Sequence, residues 1–368
     1  MKKISLRALI FILWIFGFAA AFLLYPDKSF SEMENRYLQT LPEFSAARLF
    51  SGAYGKEFED YLNDQFVLRD GFVKLNTTIR YASGLREKND VYYTTDGALI
   101  QKANEPERIE RNAQAAADFA AKCDVPVYFA LIPGALELRA DTLPEGAPGQ
   151  DQGALIQKAC DAFGNGAVDM LGALSGHDDE KIFYRTDHHW TSLGAYYGYT
   201  AIMKSMGLQA QSSGEPVTLS NNFYGTLYSK APAFWIKPDS IERYVPADGT
   251  RVTAYEGEEA EQRALYCMEN LAKKDKYTVF LGGNKPRVVV ETQNTHAPRL
   301  LILRDSYTDA MTPFLTRHFS RIDLLDCRYY RRSVSAYINE NDIDMVLICY
   351  SVANFCSDAN LALALAVS

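Results

Sequence analysis

The sequence predicts an α/β fold, a parallel sheet with flanking helices preceded by one transmembrane helix, on three observations. Beyond residue 105, apolar runs of strand length alternate with stretches of helical period, as parallel strands joined by crossover helices require. The chemistry-bearing residues fall on strand-to-helix turns, at 186–190 and 305–307, where α/β proteins meet their ligands. Lys2, Lys3 and Arg7 precede an uncharged apolar run over residues 8–25, about one bilayer crossing.

Composition narrows the function. At 368 residues and 48% hydrophobic, the chain can bury at least one large core. A net charge of −8, with no Lys/Arg stripe interleaved with aromatics, argues against a nucleic-acid partner. Six cysteines without a CxxC pair suggest neither a zinc site nor a redox motif, and Cys327 and Cys349 sit in or beside apolar runs as buried thiols do.

Taken in order, residues 1–25 read as a signal-anchor. The positive charges ahead of the run keep the N-terminus in the cytoplasm and place everything after Pro26 outside, so the expected location is the cell membrane, single-pass, with an extracytoplasmic domain. The run is long for a cleaved signal, and its small-residue cluster, Ala19-Ala20-Ala21, lies inside it. Residues 26–104 read as an extended linker, two helices carrying Tyr54, Phe58, Tyr61 and then Phe72, Leu75, Ile79, and a hairpin turning at Asp96-Gly97. Residues 105–368 form the α/β domain. It opens with a helix at 106–122, a strand at 125–132, a helix at 154–163 and a strand at 167–171. Ile182-Phe183-Tyr184 then leads as a strand into the first turn, and Thr191-Ser192 caps the helix leaving it. Residues 207–277 form an irregular insertion, either a lid or a structural excursion. Strands follow at 279–284, 288–290, 300–303, 322–325 and 345–350, with helices near 333–338 and 361–366.

Ser306 stands after an apolar strand and before a helix, where backbone N–H groups and the helix dipole favour a developing oxyanion. Asp305 and Ser306 are equally suited to capping that helix. A serine nucleophile needs a base, and a base needs an orienting acid. In Asp187-His188-His189, the acid and the second histidine are one residue apart, so an extended turn points both to one side and His188 away. Trp190 either walls the base from solvent or anchors the following helix. A metal bound by Asp187, His188 and His189, with the nearby His177, Asp178, Asp179 and Glu180, is disfavoured, since adjacent histidines rarely bind one metal and no i,i+4 pair exists.

These residues carry a resemblance. Glu34-Asn35-Arg36, Asp64-Gln65-Phe66, Asp187-His188-His189-Trp190, Phe280-Leu281-Gly282-Gly283-Asn284, Asp305-Ser306-Tyr307, Asp326-Cys327-Arg328 and the stretch from Tyr350 to Asn354-Phe355 occur in the order of the DHHW-type proteins. Those proteins are similar to the SGNH-like alginate O-acetyltransferases of the cell envelope. The resemblance implies an SGNH-hydrolase-like sheet, and Asp187, His189 and Ser306 as a catalytic triad. It places Arg328 and Tyr350 in the site by rank order, and it makes the Ser306 N–H with Arg328 or Asn354 the oxyanion donors, Asn284 being the other candidate. It departs from the acetyltransferases at His188, which stands where they carry another residue. The implied activity is O-acetyl transfer to an exported polysaccharide through an acetyl-serine, with a membrane-bound O-acyltransferase as donor partner and no cofactor. A carbohydrate O-acetyl esterase with the same triad and a non-catalytic glycan-binding envelope protein are the alternatives.

Overall fold

The computed structural model describes residues 5–103, 105–177 and 179–366, so that Lys2, Lys3 and Asp178 lie outside the described residues. It comprises two compact units, residues 1–88 with 228–236, and residues 89–227 with 237–368.

The first unit opens with helix α1, Leu6–Leu24, whose N-cap Ser5 accepts a hydrogen bond from the Ala8 N–H. Its 19 residues have a mean hydropathy of 2.3, and none is buried. Among the described residues it is the one helix long and apolar enough to cross a membrane. Helices α2, Ala53–Gln65, and α3, Arg69–Ala82, follow. The motif residues between them and the chain ahead close a polar knot. Arg36 bonds Asp64 at 2.9 Å, Arg69 pairs with Glu34 at 2.7 Å, and the Gln65 amide serves Lys28 and Gln39 backbone groups at 2.9 Å each. These polar motif residues therefore fasten the segment that leaves α1 onto α2 and α3.

The second unit holds the predicted hairpin, Val91–Tyr93 against Leu99–Gln101, antiparallel with Tyr93 opposite Leu99. Its centre is a seven-stranded sheet of β1 Val127–Ile132, β2 Arg251–Glu256, β3 Glu259–Arg263, β4 Arg287–Glu291, β5 Arg299–Arg304, β6 Arg321–Leu325 and β7 Met345–Ser351. The strand order is β3-β2-β4-β6-β5-β7-β1. From β6 to β1 the pairs are parallel, and β4, β2 and β3 complete the other side antiparallel. The parallel strands are apolar on both faces because both are covered. Leu300 and Ile302 point into one buried cluster and Leu301 and Leu303 into the other. Helices α4 Ile109–Lys122 and α5 Gln152–Phe163 cover the second cluster, while α6 Ser192–Ser205 and α7 Tyr307–Leu315 cover the first.

Three stretches differ from the expected elements. Residues 167–171 give a single parallel bridge, Phe129 with Ala167, after which Asp169 caps a short helix, Met170–Leu174, by accepting from the Gly172 N–H. Residues 279–284 form the end of a 3-10 turn and a tight reversal, because Leu281, Gly282 and Gly283 all have positive φ. The stretch 207–277 contributes β2 and β3 to the central sheet.

Candidate active site

The first turn is a loop of bends closed by one antiparallel bridge, Phe183 with Trp190, rather than a strand end. Thr191 caps α6 by accepting from the Gly194 N–H. The buried Asp239 carboxylate fixes the entry to the loop, accepting from the Arg185 and Thr186 N–H groups at 3.0 and 2.9 Å and from the Thr186 hydroxyl at 2.6 Å. The Trp190 indole N–H donates to the Tyr307 carbonyl at 2.8 Å, and its ring is wholly buried against Gly198. A Cβ at Gly198 would come within 2.7 Å of that ring. Trp190 therefore anchors helix α6 and ties the first turn to the second.

Asp187 is 3% exposed. One of its oxygens accepts from His189 Nδ1 at 2.6 Å and the His189 N–H at 3.1 Å; the other accepts from the Thr226 N–H at 2.7 Å and the Thr226 hydroxyl at 3.0 Å. Burial alone would push this carboxyl up, but the two neighbouring imidazoles and these hydrogen bonds outweigh it and hold the group well below the usual carboxylate range. Thr226 reaches Asp187 because residue 225 is glycine, where a Cβ would lie 2.3 Å from the aspartate side chain. With its Nδ1 proton given to a carboxylate, His189 presents a bare Nε2, and Nε2 accepts from the Ser306 hydroxyl at 2.7 Å.

Ser306 follows β5 and precedes α7. Its side chain makes no capping bond, and Asp305 takes that role by accepting from the Tyr307 N–H at 3.0 Å. Asp305 is fully buried and also accepts from the Ser351 N–H and hydroxyl and from the Asn354 amide, at 2.9, 2.7 and 2.8 Å. The carboxyl ends of the adjacent strands β5 and β7 are thus stitched together beneath Ser306.

His188 does not point away. Its ring lies 3.9 Å from that of His189, and its Nδ1 sits 2.8 Å from the Thr226 hydroxyl and 3.5 Å from Asp187. The reason is that the loop bends instead of extending, so alternate residues do not face opposite sides. His188, Tyr307, Ser351 and Asn354 line a cleft of about 150 Å³ beside the hairpin strand Leu99–Gln101. The metal-binding atoms of Asp187, His188 and His189 lie within 4.8 Å of one another, and both ring nitrogens of His189 are already engaged, Nδ1 by Asp187 and Nε2 by Ser306.

The remaining expected site residues separate. Asn354 lies in the cleft, held by Asp305. Asn284 accepts from the buried Arg304 at 3.2 Å, and Arg304 also pairs with Asp309 at 2.8 Å. Arg328 is held two-pronged by buried Asp326, at 2.8 and 2.7 Å, with no hydrogen bond to His189 or Ser306 among the described residues. Tyr350 is fully buried in the opposite layer, packed against Phe355 and beside Cys327, because the strand alternation turns it away from the face that carries Tyr307. Two residues of the site, Thr226 and Tyr277, carry no signal in the sequence. Tyr277 stacks on the His189 ring, centroids 3.8 Å apart and 8° between planes, while its hydroxyl donates to the Ser306 carbonyl at 3.0 Å. It lies in the stretch read as an excursion, and no local pattern marks it.

The DHHW protein family matches residues 119–325 of the chain. No curated protein sequence matches it. Among solved structures it is similar to a DHHW family protein from Eubacterium siraeum, at 25% identity and a TM-score of 0.63 over 75% of this chain and 95% of that one. It is also similar to PatB1 of Bacillus cereus, in a structure with a sulfonyl adduct, at 23% identity and a TM-score of 0.61 over 74% of this chain and 97% of that one. The O-acetyltransferase domain of AlgJ from Pseudomonas putida aligns at 13% identity and a TM-score of 0.45 over 75% and 98% of the two chains. The likeness is one of fold, a central sheet with helices on both faces.

Proposed function

Because the chain belongs to the DHHW family, we propose that it is a membrane-anchored O-acetyltransferase that acetylates hydroxyls of an exported or cell-surface polysaccharide. The observation that carries this reading is the single imidazole, His189, bridging a buried carboxylate at 2.6 Å and a serine hydroxyl at 2.7 Å. That is the arrangement acyl transfer through a covalent serine intermediate demands.

In the first half-reaction, His189 Nε2 takes the Ser306 proton as Oγ attacks the acetyl carbonyl of the donor. The tetrahedral intermediate collapses as His189 returns that proton to the departing donor group, leaving acetyl-Ser306. In the second, Nε2 takes the proton of a sugar hydroxyl, whose oxygen attacks the acetyl carbonyl, and the proton passes to Ser306 as it leaves. Asp187 holds the imidazole in the tautomer that starts each cycle and stabilises the imidazolium that forms. For the oxyanion, the Ser306 N–H has no acceptor among the described residues, and it begins a helix whose dipole favours negative charge. The Asn354 amide, aimed by Asp305, is the second donor. Helix α1 anchors the chain with its second unit outside the cytoplasm, where a membrane-bound O-acyltransferase supplies the acetyl group.

The test incubates the purified protein with an activated acetyl ester, with and without oligosaccharide. Acetylated sugar forming faster than acetate is released is the expected result. Acetate release that oligosaccharide does not divert would make the protein an esterase instead.

A further inference from the structure

Helix α3 is amphipathic in the wrong sense for a water-facing helix. Phe72, Leu75 and Ile79, at helical spacing i, i+3 and i+7, form one stripe that is turned outward, with Ile79 60% exposed, and the N-cap Leu68 just ahead of the helix is 71% exposed. The polar Thr77, on the opposite side, is 2% exposed and accepts from Lys88 at 2.9 Å. An exposed contiguous apolar stripe of this kind marks an interaction surface.

Its neighbour within the same unit identifies the occupant. Phe18 of α1 stacks on Phe66 at 5.6 Å and meets Phe72 edge-on at 6.2 Å, while Phe22 meets Tyr61 at 6.0 Å. The stripe therefore begins beside the last two turns of α1, the end at which the chain leaves the apolar segment. Asp70, in the first turn, is the one acidic residue of α3, and Arg80 stands in its last turn. An exposed apolar helix face at the exit of an apolar span has the chemistry of a helix lying in a bilayer interface, with the stripe among acyl chains.

We propose that α3 lies in the plane of the outer membrane–water interface as a second, monotopic contact with lipid. This rests on reading α1 as a membrane anchor. It would make the first unit a foot on the bilayer rather than a flexible tether.

The test places a photoreactive benzophenone side chain at Ile10, Leu75, Ile79 or the exposed Leu363 of the full chain, irradiates the membranes of expressing cells, and analyses adducts by mass. Lipid adducts are expected at Ile10, Leu75 and Ile79 and none at Leu363. Lipid adducts at Ile10 alone, or a discrete protein adduct in place of lipid at Leu75 and Ile79, overturn the inference and leave the anchor standing. The absence of lipid adducts at Ile10 overturns the anchor itself, and the inference with it.

Discussion

The turn at Asp187 and the turn at Asp305 each bury a carboxylate that accepts hydrogen bonds from two partners or more, yet the two carboxylates do different work. Asp187 faces an imidazole and a threonine. Asp305 faces only neutral donors, from Tyr307, Ser351 and Asn354. The first can stabilise a charge that comes and goes on His189, whereas the second can only fix positions. A buried aspartate next to a helix start is thus an electrostatic element or a positional one according to its donors.

Exchanging the first carboxylate for its amide should separate the roles most sharply. Asp187→Asn presents a donor to His189, reverses the tautomer and leaves Nε2 protonated against Ser306, so kcat is expected to fall about 10⁴-fold with the circular dichroism spectrum unchanged. A loss of less than about tenfold would mean that His189 needs no orienting charge. The same carboxylate titrates below its unfolded value, so it contributes stability above about pH 4 and loses that contribution as pH falls further. Urea unfolding of the wild type should weaken in that acid range more than that of Asp187→Asn.

Removing the second carboxylate should act on the fold. Asp305→Ala leaves the Ser351 N–H and hydroxyl and the Asn354 amide without their acceptor, at about 1–3 kcal/mol for each buried group left unpaired. A destabilisation of about 3 kcal/mol or more is expected in denaturant titration; less than about 1 kcal/mol would show that the turn is held by other contacts. The smallest effect belongs to Tyr277→Phe, which keeps the ring over His189 and removes one hydrogen bond to the Ser306 backbone. The expected change is about tenfold in kcat with an unchanged melting temperature, and an unaltered rate would leave Tyr277 a packing residue.

The same contrast explains what the sequence disclosed. Strands β5 and β7 are four or more consecutive apolar residues bounded by polar turns, and their burial on both faces left a continuous signal. Strand β3, Glu-Ala-Glu-Gln-Arg, lies at the sheet edge with almost every side chain exposed, so no apolar pattern announced it. Asp187, His189 and Ser306 were legible because acid, imidazole and hydroxyl are chemically distinctive and each stands at a turn. Thr226 and Tyr277 were not, because nothing local distinguishes a threonine or tyrosine that meets the site only after some 39 or 29 residues of intervening chain. The inward turn of His188 is not legible for a different reason: a strand's alternation does not hold where the chain bends.

The central claim is that Ser306, activated by His189, takes up an acyl group. Intact-mass measurement after exposure to an activated acetyl ester tests it directly. The wild type should gain one acetyl group that oligosaccharide removes, and Ser306→Ala and His189→Ala should gain none. An equal adduct on Ser306→Ala, or no adduct on the wild type, would contradict the account.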